Sequence, residues 1–135
     1  MSEQLTAEAA IRGAEFRSAL RRFLRRSERV ARASGLTPQR YLLLLMIKGA
    51  PDGSEQSTVT ELADRLQLAQ STVTELVSRA EEVGLVEREQ SSADGRVAHL
   101  RLTAEGERRL ARSFATMAAE REQLRAVFAH LDASP

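Results

Sequence analysis

The order of predicted elements in the middle of the chain constrains the fold more strongly than any other feature of the sequence. Thr58-Val59-Thr60-Glu61 matches a capping box, so we expect a short helix from there to about Leu66. Residues 67–69 then form a turn, and a second short helix follows until Gly84 ends it. The apolar residues of this second helix are spaced i, i+3, i+4 and i+7, as on one buried face: Val73, Leu76, Val77 and Ala80.

A β-hairpin is predicted directly after the second helix. Residues 85–89 and 97–102 have the pattern of strands, and they flank a tip at residues 90–96 that is rich in turn-forming Ser, Asp and Gly. A helix, a turn, a second helix and a hairpin in this order are typical of a winged helix-turn-helix. In that motif the second helix enters the major groove, and the hairpin, called the wing, reaches the backbone or the adjacent minor groove. The sequence therefore predicts a mainly α fold that binds double-stranded DNA.

Three longer helices are predicted outside this motif. The first covers residues 6–33. The next begins at Thr37-Pro38, an N-cap followed by a first-turn proline, and its apolar run at residues 41–47 should make it central to the core. A single long helix begins at Thr103 and continues toward the end of the chain, with Arg121 interrupting its apolar seam.

The two terminal helices each carry an apolar stripe that a small globule has limited means to cover. Pairing across a two-fold axis would bury both stripes. We therefore expect an N-terminal dimerisation helix (residues 1–35), a winged helix-turn-helix (36–103) and a C-terminal dimerisation helix (104–135). The alternative is an intramolecular hairpin of these helices packed on the winged helix. The residues expected at the dimer interface are Leu5, Phe16, Leu20, Phe23, Leu110, Phe114, Leu124 and Phe128.

The outer face of the second short helix carries small polar side chains, which allow its backbone to approach base edges closely. An ordinary surface helix more often carries Lys and Glu in solvating pairs. Thr58 and Thr60, at the start of the first short helix, are candidates for contacts with phosphate. The side chains expected to face the major groove are Gln70, Ser71, Thr72, Thr74, Glu75, Ser78 and Arg79.

Six short stretches, spread over residues 36–106, together resemble the MarR family of bacterial transcriptional regulators. They are Leu36-Thr37-Pro38-Gln39-Arg40-Tyr41, Val59-Thr60-Glu61-Leu62-Ala63, Ser71-Thr72-Val73-Thr74, Val83-Gly84-Leu85-Val86-Glu87-Arg88, Asp94-Gly95-Arg96 and Leu102-Thr103-Ala104-Glu105-Gly106. The resemblance implies a homodimer whose first and last helices intertwine, and whose two recognition helices read one palindromic operator. It also implies that Arg96 at the wing tip reaches the minor groove.

Family members commonly repress transcription, and many release DNA when a small, often aromatic or acidic, effector binds near the junction of the dimer and DNA-binding regions. Here that junction would lie between the first helix, the Tyr41 helix and the recognition helix. Two positions differ from the residue types that are usual in the family. Glu75 stands where a basic or amide side chain is frequent, and Ala69 stands where a serine usually caps the recognition helix.

The charge distribution bears on DNA binding more than the formal net charge of +1 does. Residues 1–35 contain 8 basic and 4 acidic residues, whereas residues 71–102 contain 4 basic and 6 acidic residues. The arginine-rich face of the first helix is interpreted as a solvated face, with a surface for DNA phosphate or an acidic partner, or for a membrane, as alternatives. Residues 71–102, called the reading segment, carry more acidic than basic residues, which predicts a low non-specific affinity for DNA. This excess of acidic residues also motivates a rival hypothesis, a protein-interaction module that keeps the fold with weak or lost DNA readout.

Several classes of chemistry are not expected. The chain has no cysteine, which excludes disulfides and thiolate metal sites, and its two histidines, His99 and His130, are predicted to lie on the surface. No glycine-rich phosphate loop or catalytic triad is recognisable, so we expect no enzymatic activity, no cofactor and no metal. The longest apolar run is seven residues, against about 20 for a membrane span, so we expect a cytoplasmic protein with no membrane partner.

Overall fold

The structure is a computed structural model that describes residues 4–90 and 96–133. Over these residues it confirms a mainly α fold with a winged helix-turn-helix. Two antiparallel strands form its sheet. The elements are α1 (Ala7–Ala33), α2 (Pro38–Lys48), α3 (Val59–Leu66), α4 (Gln70–Glu82), β1 (Val86–Gln90), β2 (Ala98–Leu102), α5 (Ala104–Thr116) and α6 (Ala118–Ala133).

Threonine side chains begin four of the helices. The hydroxyl oxygens of Thr6, Thr37, Thr58 and Thr103 each accept a hydrogen bond from a backbone N–H of the first turn, at 3.1 to 3.2 Å. At Thr58 the carboxylate of Glu61 also accepts from the Thr58 N–H at 2.9 Å, which completes the predicted capping box. The recognition helix α4 differs, because its N-cap Ala69 offers no side-chain hydrogen bond.

The predicted hairpin is confirmed, and its strands are Val86–Gln90 and Ala98–Leu102. Its antiparallel ladder runs from Val86 opposite Leu102 to Gln90 opposite Ala98. Leu100 also exchanges two backbone hydrogen bonds with Ser57, at 2.8 and 3.1 Å, which ties the wing to the segment before α3. The predicted tip residues Asp94 and Gly95 lie outside the described residues.

The core forms around α2, as its apolar run predicted. Leu43, Leu44 and Ile47 are completely buried among side chains of α3, α4 and the hairpin. On α4 the predicted buried face is confirmed, since Val73, Val77 and Ala80 are fully buried and Leu76 packs against the same cluster. This packing turns the opposite face of α4 toward solvent.

The C-terminal helix is not the single helix that the sequence predicted, because it breaks at Met117 into α5 and α6. Arg121 explains the break. Its Nη1 donates to the backbone oxygen of Phe114 at 2.6 Å, and its guanidinium carbon lies 3.5 Å from the centroid of the Phe114 ring. The side chain that interrupts the apolar seam thus satisfies a carbonyl at the end of α5 and stacks on its last aromatic ring.

The two terminal helices pack on each other within the chain. The rings of Phe16 on α1 and Phe128 on α6 are stacked, with centroids 4.7 Å apart, and Arg26 forms an ion pair with Glu120 at 3.3 Å. The described chain contains no helix that is both long and apolar enough to cross a membrane.

The start of α5 lies directly against the base of the wing. A Cβ on Gly106 would come within 2.2 Å of the backbone oxygen of Leu85, so only glycine fits there without movement. Thr103 reinforces the same junction, because its hydroxyl donates to the Gly84 oxygen at 2.6 Å and its N–H donates to the Leu85 oxygen at 3.0 Å.

Candidate nucleic-acid interface

The structure brings the predicted reading residues together on the solvent face of α4. Six of the seven are exposed and Ser78 is half-buried. Below, "reading face" means these seven residues: Gln70, Ser71, Thr72, Thr74, Glu75, Ser78 and Arg79. Small hydroxyl side chains occupy its first turn and leave the helix backbone accessible, which is the geometry that a helix in the major groove requires.

Hydrogen bonds within α4 determine what this face can offer to a base. The hydroxyl of Thr74 donates to the backbone oxygen of Gln70 at 2.9 Å, so its oxygen remains available only as an acceptor. Glu75 is also an acceptor when ionised. In the major groove the complementary donors are the amino groups of cytosine and adenine. Thr74 and Glu75 therefore favour bases that present an amino group.

Glutamates form ion pairs with arginines of residues 71–102. Arg79 pairs with Glu75 at 2.7 Å, Arg88 with Glu81 at 2.7 Å, and Arg101 with Glu89 at 3.3 Å. Arg96, which lies in the same segment, is exposed next to the wing tip.

These ion pairs were not predicted from the sequence, although the i,i+4 spacing of Glu75 and Arg79 was a signal for one of them. The pairs from α4 to β1 and across the hairpin had no such local signal, because they depend on how the strands pack.

Thr58 and Thr60 lie at the start of α3. Thr60 is exposed, whereas Thr58 is half-buried and uses its oxygen in the helix cap, which leaves its hydroxyl proton free to be donated to a phosphate. Arg65 fixes α3 against the rest of the chain by donating to the Met46 oxygen at 2.7 Å and to the hydroxyl of Ser57. The orientation of the α3–α4 pair is thereby set from α2.

The predicted dimerisation residues fall into three groups. Leu5, Phe16 and Phe114 are exposed, with 79%, 39% and 41% of their surface accessible. Four others are partly buried, and they are Leu20, Phe23, Leu124 and Phe128. Leu110 differs, because it is buried in the core of its own chain and offers no surface to a partner. The remaining apolar surface on α1 includes Ile11 and Leu24, both about half exposed.

A cleft of about 390 Å³ lies between α1 and α6. Phe23, Leu124 and other apolar side chains line it together with four arginines. Arg26 pairs with Glu120, whereas no ion pair of the other three arginines is found among the described residues. These three are Arg22, Arg25 and Arg29. The cleft is thus cationic and partly apolar, and it differs in place from the junction that the family resemblance implies. Among the described residues no cluster of His, Asp and Glu could hold a metal ion.

A second set of ion pairs connects the winged helix to α5. The ammonium group of Lys48 lies 2.9 Å from carboxylates of both Glu107 and Glu55, and these hydrogen bonds raise the pKa of Lys48 above its usual value. Hydrogen bonds from Arg109 and Arg108 lower the pKa of Glu105 below its usual value. Arg109 also donates to the backbone oxygen of Gly35 at 3.1 Å, which links α5 to the turn after α1.

Comparison with known proteins places this geometry among transcription regulators. The model of the MarR family matches residues 34–97, which contain the helix-turn-helix and the wing. No curated protein matches the chain.

Solved structures of that family share the fold. AbsC, a MarR family transcriptional regulator from Streptomyces coelicolor, is 20% identical with a TM-score of 0.73, and the match covers 91% of this chain and 82% of AbsC. Sco3205, a MarR family regulator from the same organism solved in complex with DNA, is 26% identical with a TM-score of 0.71, covering 92% and 77%. PcaV, also from Streptomyces coelicolor and solved with its natural ligand, is 30% identical with a TM-score of 0.54, covering 67% and 61%.

Proposed function

Because the chain belongs to the MarR family of DNA-binding transcriptional regulators, we propose that it acts as a homodimer on a palindromic operator and represses transcription until an effector binds. The observation that carries DNA binding is the reading face, a set of polar side chains, six of the seven exposed, on a helix whose opposite face packs in the core. Sco3205, which shares the fold at 26% identity, was solved bound to DNA. A role in regulation also agrees with our expectation that the chain is not an enzyme.

In the proposed complex, α4 enters the major groove and presents the reading face to base edges. Arg96 extends from the wing into the minor groove, where the wing of this motif reaches. Thr58 and Thr60 donate to phosphates at the start of α3. Two recognition helices related by a two-fold axis then read half-sites about one helical turn apart, which requires a palindromic operator.

The homodimer is supported by the apolar surface that the protomer leaves uncovered. Although α1 and α6 pack on each other, large apolar side chains remain exposed: Leu5 just before α1, Ile11, Phe16 and Leu24 on α1, and Phe114 on α5. Burial of such side chains against a second copy would remove them from water. In this proposal the α1 and α5–α6 segments, residues 1–35 and 104–135, form the dimerisation region, and residues 36–103 bind DNA.

A small acidic or aromatic effector is the second part of the proposal. PcaV, which is 30% identical, was solved with its natural ligand. The cleft between α1 and α6 supports an anionic effector, since the three arginines for which the described residues supply no ion pair line it together with apolar side chains. Titrating aromatic and aliphatic carboxylates, with the matching uncharged amides as controls, into the DNA complex should release DNA only with an acid. Equal release by acid and amide would contradict the charge argument.

A protein-interaction module without DNA readout is the second candidate function. The observation that favours it is the neutralisation of Arg79, Arg88 and Arg101 by glutamates, which leaves few cations for phosphate.

Selection of bound duplexes from a random pool distinguishes the two candidates. A regulator enriches a palindrome, and its affinity falls as salt rises because phosphate contacts release counterions. If no duplex is retained at about 50 mM salt, where electrostatic binding is strong, the DNA-binding proposal is wrong and the interaction module is favoured.

A further inference from the structure

The reading face carries one ion pair in the middle of the surface that would meet the bases. Nη2 of Arg79 lies 2.7 Å from Oε1 of Glu75, one helical turn away, and both side chains are more than 60% exposed. An exposed i,i+4 pair contributes little to stability, so the fold does not require it. The ion pair matters instead for DNA binding, because the reading face presents a cation and an anion together to the DNA rather than a free cation.

The ion pair affects contacts with phosphate and contacts with bases differently. Toward a phosphate, the carboxylate of Glu75 repels the ligand that Arg79 attracts, so the pair adds almost nothing to sequence-independent binding. Toward base edges, Arg donates to O6 and N7 of guanine, and Glu accepts from the amino group of cytosine. A G·C pair presents both groups in the major groove, and the acceptor oxygen of Thr74 next to Glu75 favours the amino group further.

Two other arginines of the reading segment are also paired with glutamates. Arg88 and Arg101 are paired with Glu81 and Glu89, so neither brings an uncompensated cation to the backbone. Discrimination between right and wrong sites depends on the difference between specific and non-specific affinity. A surface whose arginines are neutralised has a lower affinity for non-specific DNA, which increases that difference.

We propose that Glu75 is a specificity-determining residue that acts by holding Arg79 in an ion pair, which suppresses binding to phosphate and directs Arg79 and Glu75 together to a G·C pair. The proposal rests on the DNA-binding function proposed above. It assigns Glu75 two roles, as the acceptor for a cytosine amino group and as the partner that keeps Arg79 from the backbone.

The test compares E75Q with the wild type on two duplexes. One is the duplex selected by the wild-type protein, and the other is a duplex of unrelated sequence and equal length. Glutamine frees Arg79 for phosphate, so each protomer of E75Q should gain about one contact. The dimer then gains about two contacts, which steepens the slope of log affinity against log salt by about 1.8. On the unrelated duplex, affinity should therefore fall about 12-fold more than for the wild type between about 50 and 200 mM salt.

The matched control is E82Q. Glu82 is an exposed glutamate near the end of the same helix, and no ion pair of it is found among the described residues. The substitution E82Q removes the same charge as E75Q without releasing an arginine, so the salt slope should stay at the wild-type value. The double variant E75Q/R79Q should return the slope to that of the wild type, and selection with E75Q should lose the preference for cytosine at one position of each half-site.

Three outcomes would overturn the inference. The first is a salt slope of E75Q equal to that of the wild type, and the second is an equal steepening by E82Q. The third is a slope for R79Q on the unrelated duplex that is shallower than the wild-type slope by about 1.8, since Arg79 of both protomers would then contact phosphate despite its partner. The failure of the proposed function looks different, because then neither the wild type nor any variant binds a duplex.

Discussion

Lys48 is the only lysine of the chain, and it connects three parts of the molecule. Its ammonium group bridges Glu55 in the loop after α2 and Glu107 on α5, each at 2.9 Å. The buried ring of Tyr41 lies on the same helix, and burial raises the pKa of its phenol above 10.0. Because arginine does not titrate below about pH 12, Lys48 and Tyr41 are the side chains whose ionisation governs stability in alkali.

We expect the protein to lose stability above about pH 10, where both groups titrate. Each has a pKa that is raised in the folded state, above 10.5 for Lys48 and above 10.0 for Tyr41. The stabilisation is therefore complete below those values and is lost as pH rises through the folded pKa. Melting temperatures measured at half-unit steps from neutral pH upward should show a steeper alkaline decline for the wild type than for K48M. Equal declines would contradict the role of the Lys48 pairs, and Y41F isolates the phenol.

Replacement of Arg96 tests the proposed contact between the wing and the minor groove. If Arg96 enters the minor groove, R96A should weaken operator binding by about 1–3 kcal/mol and leave the dimer intact. Titration of the selected duplex, together with sedimentation of the free protein, measures both quantities. R101A is a useful comparison because Arg101 also lies on the wing, on strand β2, where it is paired with Glu89. An affinity of R96A equal to that of the wild type would remove Arg96 from the interface.

At the scale of the element, the recognition helix begins without a side-chain cap. Ala69 has the extended backbone of an N-cap, with φ −64° and ψ 147°, but no oxygen to accept from the first turn. We expect A69S to stabilise the fold by about 1 kcal/mol, the usual value of a serine cap over alanine. Urea unfolding monitored by circular dichroism measures this change. T58A, which removes the cap of α3, should lower stability by a similar amount, whereas an unchanged A69S would mean that the helix start has another partner.

The helices that the sequence predicted well are those with a local start and stop. The Thr58 capping box marks the start of α3, and Gly84 marks the end of α4 within two residues, so these local signals were sufficient. The break between α5 and α6 could not be predicted in this way. It depends on Arg121 reaching back seven residues to the Phe114 oxygen, whereas the apolar seam itself continues across the break.

The reading face was predictable and its electrostatics were less so. The 3.6-residue period of the buried residues fixes which side chains of α4 point outward, and the structure places all seven candidates there or at its edge. The partners of Arg88 and Arg101 depend on how α4 and the hairpin pack, which no local pattern encodes. The burial of Leu110 in the core of its own protomer was missed for the same reason. A heptad spacing of apolar residues does not show whether they pack against the same chain or against a partner.

At the scale of the whole molecule, the proposed dimer can be tested by changing the exposed apolar side chains at the N-terminal end of the chain. Leu5 is 79% exposed, so replacing it changes little within the protomer. We expect L5E to weaken the dimer, since a charge at an apolar interface must be desolvated or left exposed. Sedimentation equilibrium measures the dissociation constant, and L42E is the control because Leu42 is an exposed leucine on α2, outside the predicted interface.

If L5E and L42E associate equally well, Leu5 does not belong to the dimer interface. If the wild-type protein is monomeric at micromolar concentration, the homodimer proposal itself is wrong, and the packing of α1 on α6 within the chain would be the complete role of these helices. The result for the wild type thus decides between the two arrangements that the apolar stripes allow.

The single lysine has a consequence for covalent regulation of this molecule. Acetylation removes the charge of lysine, whereas methylation of arginine keeps it. Every basic side chain of the reading segment is an arginine, so lysine acetylation has no target there. The only side-chain amine belongs to Lys48, and an acetyl group on it would break two ion pairs at the junction of α2, the following loop and α5. Such a modification would alter how firmly the DNA-binding region is held, while the charge that faces DNA stayed constant.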